Sequence, residues 1–309
     1  MLKIFCLAGI FFLFVAHAAL AQGELKAKIE RIISPVKAKV GVSILAIEDK
    51  VTVNVNGGKQ FPMQSVFKFP IALAVLGEVD KGRFSLEQEI NIRKNDLLPD
   101  TWSPIREKYP DGVKMSLAEV IKYTVAESDN NGCDILLRLL GGPSTVNNYI
   151  HSLGIKGFSV QFNEKEMHEK WSAQFSNLTN PAAAAELLRT FYVGSILSRK
   201  NFDFLWNVMT ETKTGKNRIK GQLPEGTSVA HKTGTSDTNE EGLTAAVNDV
   251  GIVTLPDGKH FAIAVFVSNS REDIITNEKV IADVSRAAWD YFVERKNNGS
   301  LSLQNSVNK

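Results

Sequence analysis

The sequence predicts a mixed α/β (α+β) fold in which one antiparallel sheet is built from both ends of the chain around a helical lobe. Three observations carry that expectation. Apolar residues alternate in two segments near the start and three near the end. The long stretch between them repeats with a helical period. Turn clusters such as Gly141-Gly142-Pro143, rather than low-complexity linkers, separate the elements. The sheet lobe takes residues 22–61 and 212–296 and the helical lobe residues 62–211.

Taken in order, residues 1–21 read as a secretory signal. Lys3 supplies the charge, Ile4 to Leu20 is largely apolar, and Ala19-Leu20-Ala21 is a small-x-small cleavage site. The expected product is exported to the periplasm and, because no later segment is long and apolar enough to span a bilayer, soluble; a monomer is expected. Leu25, Ile29, Ile32 and Ile33 predict a helix over Gly23–Ile33. Val40–Ile47 and Val51–Val55 form a hairpin around Glu48-Asp49-Lys50. Helices are expected at Ser65–Val79, Ser116–Ala126, Gly132–Leu140, Pro143–Leu153, Pro181–Tyr192 and Lys200–Thr210. Strands return at Ser228–Thr235, Ala245–Leu255 and Phe261–Val267. A helix over Thr276–Arg295 closes the fold, and the polar residues 297–309 are expected to be disordered.

A net charge of +2 argues against a nucleic-acid partner. With Cys6 in the signal, Cys133 is left alone, so no intramolecular disulfide forms; its apolar neighbours make it a buried core thiol.

The chemistry centres on Ser65 and Lys68. Three residues apart on a helix, they share a face, and a lysine among apolar neighbours can take a serine's proton because burial disfavours its charged form. If Ser65 opens the helix, its N–H also suits a developing oxyanion. Pro70, just beyond, predicts a local kink. Ser34-Pro-Val-Lys37 has the same spacing and reads as a helix end, so spacing alone decides nothing. Ser128-Asp129-Asn130 can offer a proton-passing hydroxyl and an amide-binding carboxamide, or can be an ordinary turn. Lys-Thr-Gly occurs twice. Lys213-Thr214-Gly215 reads as a turn. Lys232-Thr233-Gly234 ends a strand, where glycine would let a substrate approach the backbone.

Together, Ser65-x-x-Lys68, Ser128-Asp129-Asn130 and Lys232-Thr233-Gly234 form the triple that marks class A β-lactamases and penicillin-binding proteins. The chain resembles a class A serine β-lactamase over nearly all of its mature length. It looks most similar to the extended-spectrum PER/VEB-like and CfxA/CepA-like branch, on Phe61-Pro-Met-Gln-Ser-Val-Phe-Lys68, Gly141-Gly142-Pro143, Thr214-Gly215-x-x-Arg218-Ile-Lys-Gly221 and Ala230-His231-Lys-Thr-Gly-Thr235.

The resemblance implies a β-lactamase/D,D-peptidase-like fold with a five-stranded sheet and an all-helical lobe, a β-lactam substrate and no cofactor or metal. It makes Ser65 the acylated nucleophile, Lys68 its proton partner, Ser128 the shuttle to the β-lactam nitrogen and Asn130 the contact to the substrate amide. Lys232, Thr233, Gly234, Thr235 and Ser236 line the substrate's carboxylate side, with the backbone N–H groups of Ser65 and Thr235 as oxyanion donors. Trp102 becomes an aromatic wall at the cleft mouth, or else a half-buried loop aromatic. Arg218 becomes a second cation for the carboxylate, or else a surface arginine.

For the deacylating base, Phe162-Asn-Glu-Lys-Glu-Met-His168 offers Glu164 and Glu166. The Glu-x-x-x-His spacing favours Glu164, with His168 positioning water or simply packing. The loop's usual Arg–Asp pair falls on Phe162 and Asn177, so that salt bridge is missing, and residues 236–243 form an enlarged connection. A D,D-peptidase or penicillin-binding protein, or a non-catalytic β-lactam sensor, is the alternative. A deacylating glutamate and the lack of a later membrane span argue for the hydrolase.

Overall fold

The computed structural model describes residues 22–49 and 51–307; the secretory-signal segment lies outside the described residues. Five strands form the main sheet: β1 (Lys39–Ala46), β2 (Thr52–Val55), β3 (Val229–Thr235), β4 (Thr244–Thr254) and β5 (His260–Ser270), in the order β2-β1-β5-β4-β3. All four neighbouring pairs are antiparallel, and the central β1–β5 pair joins the two ends of the chain, Lys39 opposite Ser268.

Both sheet faces are covered, which is why β4 and β5 read as almost continuous apolar runs. Ala262, Ala264 and Phe266 pack toward the helical lobe; Phe261, Ile263, Val265 and Val267 pack toward helix 22–33 and the closing helix. Alternation with a period of two sorts them. Each of the Phe, Ile and Val side chains, fully buried, contributes about 1.5–3 kcal/mol before entropy is counted.

The intervening lobe is mostly, not wholly, helical. It also holds a hairpin, Glu89–Arg93 with Gly112–Ser116, and a small three-stranded sheet that includes Phe61–Pro62. Short strands embedded in helical sequence leave too few alternating residues to register as such. Ser116 sits one residue before its helix, capping it with a reciprocal Ser116–Glu119 box.

Two local expectations are corrected. Ser65 does not open an α-helix. It lies in a 3-10 turn, Gln64–Phe67, and the α-helix begins at Lys68 and runs to Asp80. Pro70 therefore falls in the first α-turn, where its missing N–H has no partner to lose, and no break follows Lys68. The closing helix runs Ile274–Val307, so the tail expected to be disordered from residue 297 continues as helix. Extending a formed helix costs far less than starting one.

Candidate active site

The turn that carries Ser65 is held from three sides. Asn248 of β4, fully buried, donates its amide to the carbonyls of Pro62 (2.8 Å) and Met63 (3.1 Å). Gly234 of β3 lies so close that a Cβ there would stand 2.4 Å from the Met63 carbonyl oxygen. The glycine thus makes room for the protein's own backbone, not only for a ligand as its sequence position suggested. From the third side, Met63 N–H donates to the Asn177 carbonyl (2.8 Å) and the Gln64 amide to the Gln174 carbonyl (2.9 Å). Gln64, just before Ser65, has φ 47°, and Ser128 has φ 60°. Non-glycine residues held there cost of order 1–3 kcal/mol each, and such strain gathers at sites where geometry matters.

Lys68 is the hub. Its Nζ donates to Ser65 Oγ (3.0 Å), to the Ser128 carbonyl (2.8 Å) and to Asn130 Oδ1. It also stands 2.9 Å from Glu164 Oε1, with the two side chains 0 % and 5 % exposed. That approach misses hydrogen-bond directionality, since Glu164 Oε1 has no directed partner among the described residues; the contact is a buried ion pair. Asn130 in turn donates to Thr101 Oγ1 (2.6 Å). Lys232 completes the network, donating from Nζ to Ser128 Oγ (2.9 Å) and the Thr233 carbonyl (2.9 Å). Burial, and then the charge of Lys68, pull the Lys232 ammonium well below the usual lysine range.

Asp129, unassigned by sequence, is the structural centre of its tripeptide. Its buried carboxylate accepts from Ser103 Oγ (2.9 Å), Ile105 N (2.7 Å) and Gly132 N (2.7 Å), capping the Asn130–Leu140 helix. Burial raises its pKa, against those hydrogen bonds.

The choice between the two glutamates is geometric. Glu166 turns back to accept from Asn163 N (2.9 Å) while Asn163 Oδ1 accepts from Glu166 N (2.8 Å), a capping box for the short Glu164–His168 helix. Glu164 points inward to Lys68. Its backbone is fixed by Asp134, whose oxygens accept from Glu164 N (2.7 Å) and Lys165 N (3.1 Å). Burial and the Glu164 charge raise Asp134 from 3.8 to about 6. His168 Nδ1 lies 2.8 Å from the Glu164 carbonyl, with its exposed ring at the cleft. Asn177 closes the loop without a salt bridge. Its Oδ1 accepts from Gln161 N (2.8 Å) and Phe162 N (3.0 Å), and its Nδ2 donates to the Phe162 carbonyl (2.8 Å).

Of these groups, Ser65, Asn130, Glu164 and His168 border a cleft of about 290 Å³ whose wall also includes Trp102, Thr235 and Ser236, whereas Lys68, Ser128 and Lys232 are not part of that wall. Trp102 is 56 % exposed there, pinned by Nε1 to the Glu127 carbonyl (2.9 Å). Two expected carboxylate binders are differently placed. The Thr233 hydroxyl is spent on Thr214, 2.6 Å away. Arg218 is buried at 4 % exposure, neither on the surface nor in the cleft wall. It donates to Gly234 O (3.1 Å), Asn248 O (2.9 Å), Thr235 Oγ1 (2.7 Å) and Glu278 Oε1 (3.1 Å). Its reach toward a ligand runs through Thr235. Ser236 Oγ is likewise engaged, accepting from Ala246 N (2.9 Å) and donating to the Asp237 carbonyl (2.9 Å).

Asp134, Asn248 and Glu278 escaped sequence reasoning. A polar pair, Asn248-Asp249, inside the apolar run of β4 was the available signal for the second.

Residues 24–292 match the family model described as the beta-lactamase enzyme family. The chain belongs to the β-lactamase enzyme family. It is 46 % identical to the β-lactamase VEB-1 of Pseudomonas aeruginosa, covering 92 % of this chain and 95 % of that protein. With the extended-spectrum β-lactamase PER-1 of the same organism it shares 42 % identity over 88 % of each. Among solved structures, the TLA-1 extended-spectrum β-lactamase aligns with a TM-score of 0.87 at 52 % identity, covering 88 % of this chain and 99 % of that one. The fold is thus that of a class A β-lactamase, with the five-stranded antiparallel sheet at its centre.

Proposed function

We propose that this enzyme opens β-lactam rings through an acyl-enzyme on Ser65 and releases the product with a water activated by Glu164, conferring antibiotic resistance. The observation that carries the reading is the continuous contact line Ser65 Oγ–Lys68 Nζ–Glu164 carboxylate, at 3.0 and 2.9 Å. Lys68 passes a proton to Glu164 and, as a neutral amine, takes the proton of Ser65 as Oγ attacks the ring carbonyl. The ring C–N bond breaks, and the leaving nitrogen takes the proton of Ser128 Oγ. That hydroxyl accepts from Lys232, so its own hydrogen is free to face the cleft, and Lys232 refills it. Between the halves Glu164 gives its proton to solvent and Lys232 regains one from it, which restores the carboxylate. Glu164 then takes a proton from water as the water attacks the ester, the acyl bond to Ser65 Oγ breaks, and Ser65 takes a proton from Lys68, which recovers it from Glu164.

Lys232 and the Thr235 hydroxyl hold the substrate carboxylate. Arg218 supports that corner from behind, since a guanidinium only donates and the Thr235 hydrogen is left to point outward. Asn130 and Trp102 meet the acyl side, and His168 borders the water site. Cephalosporins, including oxyimino types, and penicillins are the substrates. The loop closed by neutral hydrogen bonds and the similarity to the extended-spectrum enzymes support the wider range. The two-lobe division, a monomeric state and periplasmic residence after cleavage at Ala21 belong to the same reading; among the described residues no helix is long and apolar enough to cross a membrane.

The test is mass spectrometry after exposure to a cephalosporin. Glu164→Gln should accumulate one adduct on Ser65, Ser65→Ala none, and Glu166→Gln should turn over normally. Normal turnover by Glu164→Gln would reject the assignment. Accumulation in wild type would favour a penicillin-binding protein, which deacylates slowly.

A further inference from the structure

The polar pair inside β4 divides between the two faces of the sheet. Asn248 holds the turn that carries Ser65, whereas Asp249, opposite Thr233 in the β3–β4 register, serves the other face. Asp249 and His231 are both wholly buried there. His231 Nδ1 lies 3.0 Å from each Asp249 oxygen, and Asp249 Oδ2 also accepts from Ile219 N (3.2 Å). Ile219 follows Arg218, so one carboxylate ties the back of β3 to the segment that brings the guanidinium to Gly234 and Thr235. Thr212 Oγ1 fastens the same segment a second time, donating to the His231 carbonyl (2.7 Å).

The charge of the pair follows from what His231 lacks. Its Nε2 is buried and has no partner among the described residues. An imidazolium would bury an unpaired N–H on a cation at that point. A neutral ring with its hydrogen on Nδ1 leaves only a bare lone pair, which costs less. The pair thus keeps the whole negative charge of Asp249 inside the protein, and a charge so deep needs cations near it. The adjoining segments supply them, Lys232 on β3 and Arg218 and Lys220 on either side of Ile219. Burial and the charge of Lys68 weaken the Lys232 ammonium, as does Arg218; Asp249 opposes them more strongly than Glu164 does. Asp249 likewise opposes the burial that lowers the pKa of Lys220. We infer that Asp249, backed by a neutral His231, is a positioning residue: the buried counter-charge, behind β3, of the cations Lys232 and Arg218 at the carboxylate corner. The inference rests on the hydrolase reading above, which gives those cations a task but not the anion that balances them.

The experiment removes the charge and keeps the shape. Asp249→Asn retains an oxygen for Ile219 N–H. Lys232 should then lose its proton earlier as pH rises. The alkaline fall in kcat/KM for a cephalosporin should move down by about one pH unit, the size of one charge felt across a sheet. Thr212→Val removes a bond from the same segment but no charge, so it should lower the melting temperature and leave the fall where it was. An unmoved fall in Asp249→Asn, or an equal move in Thr212→Val, overturns the inference while hydrolysis itself stands. In wild type, nitrogen NMR of the assigned His231 ring should show Nδ1 protonated and Nε2 bare at neutral pH. A ring protonated on both nitrogens also overturns the inference, and this spectrum decides the matter if Asp249→Asn does not fold. Absence of hydrolysis by wild type would instead overturn the parent reading.

Discussion

The tripeptide Lys-Thr-Gly occurs twice, and the two copies meet in space with opposite fates. Lys213 is 68 % exposed and pairs with Glu127 at 3.0 Å, whereas the Lys232 side chain is wholly buried against Ser128. Thr214 and Thr233 share one hydroxyl contact. Gly215 bends a turn at φ 67°, whereas Gly234 lies in extended β3 and admits the Met63 carbonyl. Identical residues thus have different surroundings because one copy ends a strand pressed against the turn that carries Ser65 and the other faces water. Burial lowers the proton affinity of a lysine and strengthens its field; exposure does neither.

The sharpest way to break this contrast is to delete each cation. Lys232→Ala leaves Ser128 Oγ without its donor and the carboxylate corner without its charge. It should lower kcat/KM by about 3–5 kcal/mol, the range for removing one partner from a buried charged contact. Lys213→Ala should leave the steady-state constants unchanged. Comparable losses in both would dissolve the distinction.

The glycines come next. Gly234→Ala must displace the Met63 carbonyl, and overpacking of this kind costs typically 1–3 kcal/mol. Because the displaced atom belongs to the turn carrying Ser65, the loss should fall on kcat. Gly215→Ala meets a Thr233 methyl at 2.5 Å and a left-handed backbone, so it should show first as a lower melting temperature.

Arg218 joins the two copies, reaching from the first segment to Gly234 and Thr235 of the second. Arg218→Ala should raise KM by the equivalent of about 1–3 kcal/mol for carboxylate-bearing substrates. It should also cost several degrees of melting temperature, because two strand carbonyls and Glu278 lose their donor. A surface arginine would contribute little to stability, whereas this buried guanidinium holds four acceptors. A changed melting temperature with intact KM would make the residue purely structural.

The smallest effect is one of pH. The folded state holds the Lys232 proton less tightly than the unfolded chain does, since its pKa lies well below 10.5. The cation is therefore lost as pH rises through that lowered value, and KM should climb at lower pH than an ordinary lysine would dictate. Stability should move the other way, rising with pH between the lowered value and 10.5, where the unfolded chain binds the extra proton. A KM profile flat up to the ordinary lysine range would contradict the depressed pKa.

Much of this was legible in the chain. Periodicity gave the five main strands within three residues at each end, because their apolar residues alternate or run on as each strand's burial does. Motif order gave Ser65, Lys68, Ser128 and Lys232, which the fold brings into one network. The misses share a cause. Asp134 and Asn248 act on backbone N–H and carbonyl groups of distant segments, and nothing local in sequence records which peptide a side chain will meet. Arg218 was legible as a cation near the site, but whether it faces ligand or protein depends on Glu278, far along the chain. Spacing could not separate a 3-10 turn at Ser65 from the first turn of an α-helix, since both place i and i+3 together.

The central β1–β5 pair has a consequence for how the molecule comes into being. Its partners, such as Val42 and Val265, stand more than two hundred residues apart in sequence. The sheet's middle cannot close until the chain is almost complete, and the entropy of closing so large a loop must be met before the contact yields anything. A growing chain can therefore form local helices in its middle third while β1 and β2 wait without their partner. Assembly of the catalytic corner, which needs β3 and β4 seated on that pair, is among the last events of folding. Slow, late-closing folding of this kind predicts a long-lived collapsed state with helix content but no acylable serine, which stopped-flow refolding in the presence of a chromogenic substrate would reveal as a lag.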